Sequence, residues 1–316
     1  MRRRRFLELG SAALLLGGAL PALARAQARQ VSFQRWQANS DIVFDYRLID
    51  YLGKELRLGF RLPVRVVDDS RRLVSAFSNE ALADYVEAAL RNYVARTSPG
   101  ISVEILREPR RLEFVVRGPS QLEVDRVSAG LGREYDRAEQ EFLVQNFLAL
   151  DGRKVFIDYG RVVAHYAPIL RPAAQAIASA SNGAAVEGRL ALALALIQTI
   201  PYDELDGRDV ESGFDFVTPP TLFDTNKGDC DSKAVALAAI LHGLVVDAHM
   251  VLVLLPNHAV LGIDLPAGRD ARTLRHGGRQ YLLMEPAGPA PYRPGQVFPN
   301  SAADLNSGRI ERIVPV

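Results

Sequence analysis

Cysteine is nearly absent from this 316-residue chain, which contains only Cys230. A single thiol cannot form an intramolecular disulfide, and it cannot supply the several thiolates of a structural zinc site or an iron–sulfur cluster. Net charge is nearly absent too, because 38 Lys and Arg residues are balanced by 37 Asp and Glu residues. Broad nucleic-acid binding usually requires a basic face. We therefore expect no metal ion, no cofactor and no nucleic-acid partner.

Long apolar runs are also missing. No segment reaches the roughly 18 uninterrupted apolar residues from which a membrane-spanning helix is built, so we expect no stable membrane insertion of the mature chain. What the chain does have is an ordinary globular composition, with 48% hydrophobic and 24% charged residues. That composition argues against a disordered or fibrous protein, and the length allows one large domain or two domains of common size.

The first 26 residues have the features of an export signal. Arg2–Arg5 provide positive charge, residues 12–23 form a short apolar core broken by glycine and proline, and Ala24-Arg25-Ala26 fits a small-residue cleavage site. The run Arg3-Arg4-Arg5-Phe6-Leu7 is similar to a twin-arginine export motif. The alternative is a membrane anchor, for which the apolar run is too short. We expect a signal peptide at 1–26 and a periplasmic or secreted protein.

The following residues, 27–150, predict a small α+β domain. Apolar and polar residues alternate over 42–49 and again over 55–67 on either side of a turn, which indicates a β-hairpin. Ser78 opens a helical pattern, and two strand patterns follow at 101–106 and 112–116. A charged amphipathic stretch over 121–149 predicts one or two further helices.

A second α+β domain is predicted for residues 151–316. An Ala-rich helical region at 160–200 leads into a loop-rich segment and then a helix over Cys230–Leu244. An apolar stripe on that helix, which indicates one face turned to the core, consists of Ala234, Leu237, Ala238 and Leu241. Buried strands are predicted at 248–255, 258–264 and 281–285.

Cys230 lies where a loop ends and this helix begins, in the run Gly228-Asp229-Cys230-Asp231-Ser232-Lys233-Ala234. A helix N-terminus carries unpaired N–H groups and the positive end of the helix dipole, and both lower the pKa of a thiol. The negative charge of Asp231 acts in the opposite direction, so the sequence leaves the net effect open. A buried structural cysteine is the alternative, because free cysteine is among the most buried residue types.

Two further residues fall where a cysteine nucleophile would need them. His258, 28 residues after Cys230, begins an apolar strand, and Glu285, 27 residues after His258, ends the next strongly apolar one. An imidazole can take the proton of a thiol, and a carboxylate can orient that imidazole. Taken singly, the histidine could be a polar strand-start residue and the glutamate a solvated strand end. Together they predict a Cys–His–acid triad on a helix and an antiparallel sheet.

With these residues in place, the chain resembles the transglutaminase-like superfamily of papain-type cysteine enzymes, over about residues 187–296. Besides the run around Cys230, with His258 and Tyr281-Leu282-Leu283-Met284-Glu285, the resemblance rests on Gln198-Thr199-Ile200-Pro201-Tyr202 and Thr218-Pro219-Pro220-Thr221-Leu222. It implies that Cys230 is the nucleophile, His258 the base and Glu285 the orienting acid. Many members carry Asp in place of this Glu, and the Trp that precedes the helix in some members has no counterpart in this chain. Gln198 and the backbone N–H of Cys230 are our candidates for the oxyanion donor.

The resemblance implies acyl transfer through a thioester. We expect an exported cysteine hydrolase that cleaves a peptide or side-chain amide of a protein or peptide substrate. The same chemistry with an amine acceptor would join protein glutamine to amines, which is one alternative. A catalytically inactive binding module of the same fold is another, because fold resemblance alone does not fix function.

Overall fold

The computed structural model describes residues 28–72, 78–96, 100–108, 111–151, 154–203, 216–245, 247–288 and 291–316. Over these ranges the chain is a mixed α+β protein whose sheets are antiparallel, as the sequence predicts at that level. The expected signal peptide at 1–26 lies outside the described residues. Among the helices in the described ranges, none has the combination of length and hydropathy that crossing a membrane requires.

Strands predominate in the first half of the described chain, and a run of helices opens the second half. The first half contains β1 (Arg29–Ala38), β2 (Asp41–Ile49), β3 (Glu55–Pro63), α1 (Val64–Arg72), α2 (Asn79–Val94), β4 (Ser102–Glu108), β5 (Arg111–Arg117), α3 (Gln121–Gln145), β6 (Leu148–Asp151) and β7 (Lys154–Ile157). The second half contains α4 (Tyr159–Tyr166), α5 (Arg171–Ala180), α6 (Val186–Thr199), α7 (Pro219–Thr225), α8 (Cys230–Leu241), β8 (Met250–Leu255), β9 (His258–Ile263), β10 (Thr273–His276), β11 (Arg279–Met284), α9 (Pro299–Asn306) and β12 (Arg312–Pro315).

Most of the predicted elements are confirmed, with corrections at their ends, among them the helix predicted over Cys230–Leu244, which ends at Leu241, and the strand predicted over 281–285, which ends at Met284. The hairpin forms as β2 and β3, but its second strand stops at Pro63, where the prediction continues to Val67. Proline has no N–H to donate to a sheet, so a strand commonly ends there. The stretch predicted as helical over 121–149 is one helix to Gln145, and β6 then begins at Leu148.

A five-stranded sheet in the order β10-β11-β9-β8-β12 carries two of the predicted site residues. A two-residue turn, Pro256-Asn257, joins β8 to β9 and pairs Leu255 with His258. Asn257 adopts a φ of 63°, a left-handed conformation that asparagine tolerates better than most residues. The turn therefore fixes His258 as the first residue of β9, as the sequence predicts.

Helix α8 is buried on every side. All of its residues from Ser232 to Leu241 are buried, and it packs against α4, α5, α6 and α7 as well as β8 and β9. The predicted single apolar stripe is therefore too narrow a description. The residues between the stripe positions are also alanine, valine and isoleucine, which allows neighbouring elements to approach every face.

The main hydrophobic core crosses the predicted domain boundary near residue 150. Phe223 of α7 packs edge-on against Phe60 of β3 at 5.1 Å between ring centroids, and it also contacts Phe44 and Tyr46 of β2. One buried cluster contains all four rings together with α8. A separate small core belongs to α2, β4, β5 and α3. The predicted boundary at 150 thus does not divide one core from another.

Ion pairs reinforce the same junction between early and late segments. Asp224 in α7 has a side chain that is only 5% exposed, and it accepts hydrogen bonds from Arg35 of β1 and Arg71 of α1. A carboxylate that is this buried needs such charged donors to offset its lost hydration. The first sheet is therefore held to α7 by both aromatic packing and charge.

We predict that Phe223→Ala lowers the free energy of unfolding by about 3–5 kcal/mol, the usual cost of removing a buried aromatic ring. Trp36→Ala is the matched control: that ring is 43% exposed, and we expect a loss of about 1 kcal/mol or less. Urea denaturation followed by circular dichroism measures both. A first sheet that unfolds in a separate transition, unaffected by Phe223→Ala, would contradict a shared core.

Candidate active site

Cys230 is the first residue of α8, at a tightly fitted loop–helix junction. The side chain of Asp229 accepts a hydrogen bond from the backbone N–H of Ser232 at 3.3 Å and so caps the helix. A Cβ placed on Gly228 would lie 2.7 Å from the side chain of Leu222, so the junction needs glycine for close packing. The thiol itself is half-buried.

Burial sets the resting state of this thiol. Desolvation raises the pKa of Cys230 to about 12, and the negative charges of Asp231 and Asp229 add to that increase. Hydrogen bonds from the backbone N–H groups of Ala259 and Asp231 act in the opposite direction but are weaker. The effects that raise the thiol pKa therefore exceed those that lower it, and they favour the neutral thiol, a question that the sequence leaves open.

His258 is held by the predicted acid. Its Nε2 lies 2.7 Å from Oε1 of Glu285, and its ring packs edge-on against Phe298 with centroids 5.7 Å apart. A carboxylate can only accept a hydrogen bond, so Nε2 carries the proton and Nδ1 keeps its lone pair. The thiol lies beside the same strand, because the backbone N–H of Ala259, the residue after His258, is near enough to lower the pKa of Cys230.

Glu285 is completely buried, which removes the alternative of a solvated strand-end glutamate. Oε1 faces His258, while Oε2 accepts a hydrogen bond from the backbone N–H of Phe298 at 3.2 Å and one from the hydroxyl of Ser301 at 3.4 Å. Donors on both oxygens compensate for the lost hydration of the carboxylate. The carboxylate is consequently fixed in one orientation toward the imidazole.

Gln198 has a different role from the one expected. It is 2% exposed, and its side-chain nitrogen donates to the backbone carbonyls of Glu285 at 2.5 Å and Tyr292 at 3.0 Å. Its carbonyl oxygen accepts the hydroxyl of Tyr51 at 2.7 Å. Both N–H groups of the amide are thus in use, which argues against Gln198 as the oxyanion donor.

The backbone N–H of Cys230 remains as our candidate oxyanion donor. The first N–H groups of a helix have no partner within the helix. In α8 those of Ser232 and Lys233 are taken by Asp229, and that of Asp231 bonds to the sulfur. The N–H of Cys230 is adjacent to the sulfur that would attack, which is where an oxyanion would form.

Two carboxylates flank the thiol and interact with each other. A hydrogen bond links the side chains of Asp229 and Asp231, and burial together with the charge of Asp231 raises the pKa of Asp229 far above its usual range. The hydroxyl of Tyr159 donates to Asp231 at 2.5 Å. Among the described residues, this Asp–Cys–Asp group brings three potential ligand atoms within 4.8 Å of one another. Its carboxylates already have hydrogen-bond partners, so we assign no metal there.

A cavity of about 820 Å³ opens beside His258. It can accommodate a peptide-sized group next to the imidazole. Its walls contain aromatic, small and polar residues, among them Tyr202, Asn257, Ala287, Gly288, Phe298, Asn300, Asp304 and Arg309. Asp304 and Arg309 form an ion pair with each other at 2.5 Å, so the cavity does not present an unpaired charge from these two residues.

Four residues around the site have no role that the sequence predicts: Lys233, Phe298, Ser301 and Tyr159. Three of them lie outside the runs that carry the resemblance, and they reach the triad only through tertiary packing. Lys233 is different, because it lies within the run around Cys230 and precedes eight consecutive apolar residues. A lysine directly before an uninterrupted apolar stretch of a helix is a signal that the sequence does contain.

Comparisons with protein-family models, with curated proteins and with solved structures found no match for this chain.

We predict that Asp231→Asn increases the alkylation rate of Cys230 at a given pH. Removing a negative charge beside the sulfur lowers the thiol pKa, and the thiolate is the reactive form. An increase of about tenfold corresponds to one pKa unit. Asparagine keeps an oxygen that can accept the hydroxyl of Tyr159.

Reaction with iodoacetamide, followed by mass spectrometry across a pH series, measures this effect at the only cysteine of the chain. Asp264→Asn is the control, because Asp264 follows the other end of β9 and pairs with Arg279. Equal rates for Asp231→Asn and the wild type would show that this carboxylate does not influence the thiol.

Proposed function

We propose that this protein is a cysteine hydrolase of the transglutaminase-like type that cleaves a peptide or side-chain amide through a thioester. One observation carries the proposal: the sulfur of Cys230 lies beside the backbone N–H of Ala259, the residue after His258, and Nε2 of that histidine is held by a fully buried Glu285. A nucleophile, a base and an orienting acid are thereby gathered at one end of β9.

The geometry favours general-base catalysis over a preformed ion pair. Because burial and two nearby carboxylates raise the thiol pKa, the resting sulfur carries its proton. Nδ1 of His258 is the ring nitrogen left to take that proton when a substrate carbonyl arrives. Glu285 then stabilises the imidazolium through the hydrogen bond to Nε2.

In each half of the reaction, His258 accepts one proton and then gives one proton back. In the first half, the sulfur bonds to the carbonyl carbon as its proton moves to Nδ1, and the resulting oxyanion is stabilised by the N–H of Cys230. The C–N bond then breaks, the amine takes the proton from His258, and a thioester remains. In the second half, water gives a proton to Nδ1 and attacks the thioester, and the sulfur leaves and recovers that proton.

The substrate class follows from this chemistry together with the cavity. A volume of about 820 Å³ beside the imidazole suits part of a peptide or protein chain, and the expected export signal would bring the enzyme to periplasmic or secreted proteins. If an amine took the place of water in the second half, the same site would act as a protein-glutamine amine transferase.

The first test needs no substrate. We expect His258→Ala to lower the rate at which iodoacetamide alkylates Cys230 at pH 7 by at least about tenfold, because the base that removes the thiol proton is lost. Glu285→Gln should give a smaller decrease. His276→Ala is the control, since that imidazole is exposed at the β10–β11 turn. Unchanged alkylation in His258→Ala would refute the assembled triad and favour a binding module.

The second test identifies the acceptor. Incubation with a mixed peptide library, with and without a labelled primary amine, distinguishes cleavage and ammonia release from amine incorporation. We expect cleavage or release to predominate and Cys230→Ala to abolish it. Incorporation that exceeds release would support the transferase, and activity that survives Cys230→Ala would end the proposal of a thiol enzyme.

A further inference from the structure

Lys233 is a buried charge that the proposed reaction does not yet use. It lies on α8 three residues after Cys230, and no part of it is exposed. Its ammonium donates hydrogen bonds to the backbone carbonyls of Ile200 at 2.6 Å and Ala287 at 2.5 Å. A lysine is almost never fully buried unless its ammonium has hydrogen-bond partners. The two carbonyls are those partners.

The two carbonyls belong to segments that matter for the site. Ile200 is the C-cap residue directly after α6, two residues after Gln198, and Ala287 follows Glu285 by two residues. Gln198 holds the same acid-bearing segment through the carbonyl of Glu285. Lys233 thus connects the helix of the nucleophile directly to the segment that presents the orienting acid.

The segment is also packed too tightly to shift without breaking these bonds. Gly288 has a φ of 64°, and a Cβ on it would lie 2.3 Å from the backbone oxygen of Gln198. A positive φ and this close approach both require glycine. The Ala287 carbonyl that Lys233 binds therefore belongs to the residue directly before Gly288, a position where only glycine fits.

The charges that face Lys233 are negative ones of the site. Burial lowers the pKa of Lys233 to about 7, and the negative charges of Asp229 and Glu285 act in the opposite direction because they favour the protonated amine. Coulombic coupling is reciprocal, so a protonated Lys233 in turn stabilises a negative Glu285.

We propose that Lys233 is a positioning residue of the reaction proposed above: its two hydrogen bonds tie the start of α8 to the Glu285 segment and so hold Cys230 in register with the acid that orients His258. This inference rests on the proposed function, because it concerns the same thiol and the same acid. It also defines what a merely structural lysine would not do, namely change the reactivity of Cys230 in a protein that remains folded.

The test compares Lys233→Met, which keeps the length but removes the charge, with the wild type. In a folded Lys233→Met variant we expect alkylation by iodoacetamide to be roughly tenfold slower at pH 7, because the Glu285 segment no longer holds the base beside the thiol. Lys233→Arg, which keeps a positive charge, should recover part of that loss. Thermal unfolding of each variant is measured alongside.

The outcomes separate the two proposals. A variant Lys233→Met that is less stable but has an unchanged alkylation rate would make the lysine structural only and overturn the inference. If His258→Ala slows alkylation while Lys233→Met does not, the triad stands and only the role of Lys233 fails. If His258→Ala has no effect, the proposed function fails whatever the lysine variants do.

A second measurement on the folded wild type covers the case in which Lys233→Met does not fold. The chain has four lysines, at 54, 154, 227 and 233, so isotope-labelled lysine gives few side-chain NMR signals. We expect the titration midpoint of Lys233 to fall in Glu285→Gln, because a neighbouring negative charge is removed. An unchanged midpoint would show that Lys233 and Glu285 are not coupled and would overturn the inference.

Discussion

The burial of α8 from Ser232 to Leu241 is the constraint on which the other features of the site depend. A helix surrounded by four other helices and two strands can be apolar almost throughout, and from Ala234 onwards it is. Its first turn, however, contains Cys230, Asp231 and Lys233, whose charged forms lose hydration in that position. The raised pKa of the thiol is a direct result of this burial, and so is the need for a partner at every polar atom nearby.

Those hydrogen-bond partners come largely from the backbone, which restricts the side chains of the site to one arrangement. The ammonium of Lys233 is satisfied by two carbonyls, and one oxygen of Glu285 is satisfied by a backbone N–H and a hydroxyl. Because an unpaired buried donor or acceptor costs about 1–3 kcal/mol, each alternative placement of these side chains is disfavoured. A site built in this way suits a reaction in which proton transfer occurs only after a carbonyl has been placed beside the sulfur.

The first hairpin supports this site instead of forming an independent unit. The hydroxyl of Tyr51, in the turn after β2, donates to Gln198, and the amide of Gln198 donates to the carbonyl of Glu285. Phe223 and Asp224 add the aromatic and ionic contacts that join the first sheet to α7. A chain of contacts therefore runs from the N-terminal hairpin to the acid that holds His258, and the hairpin contributes to positioning that acid.

Local chemistry was readable in the sequence because it depends on neighbours along the chain. The start of α8 at Cys230, the start of β9 at His258 and the alternating strands β2 and β3 all follow from caps, turns and apolar periodicity. The direction of the thiol pKa, the engagement of both N–H groups of Gln198 and the core that crosses residue 150 were decided by tertiary structure alone. Each depends on which distant groups surround a side chain and how much water they exclude, and a one-dimensional pattern carries no measure of either.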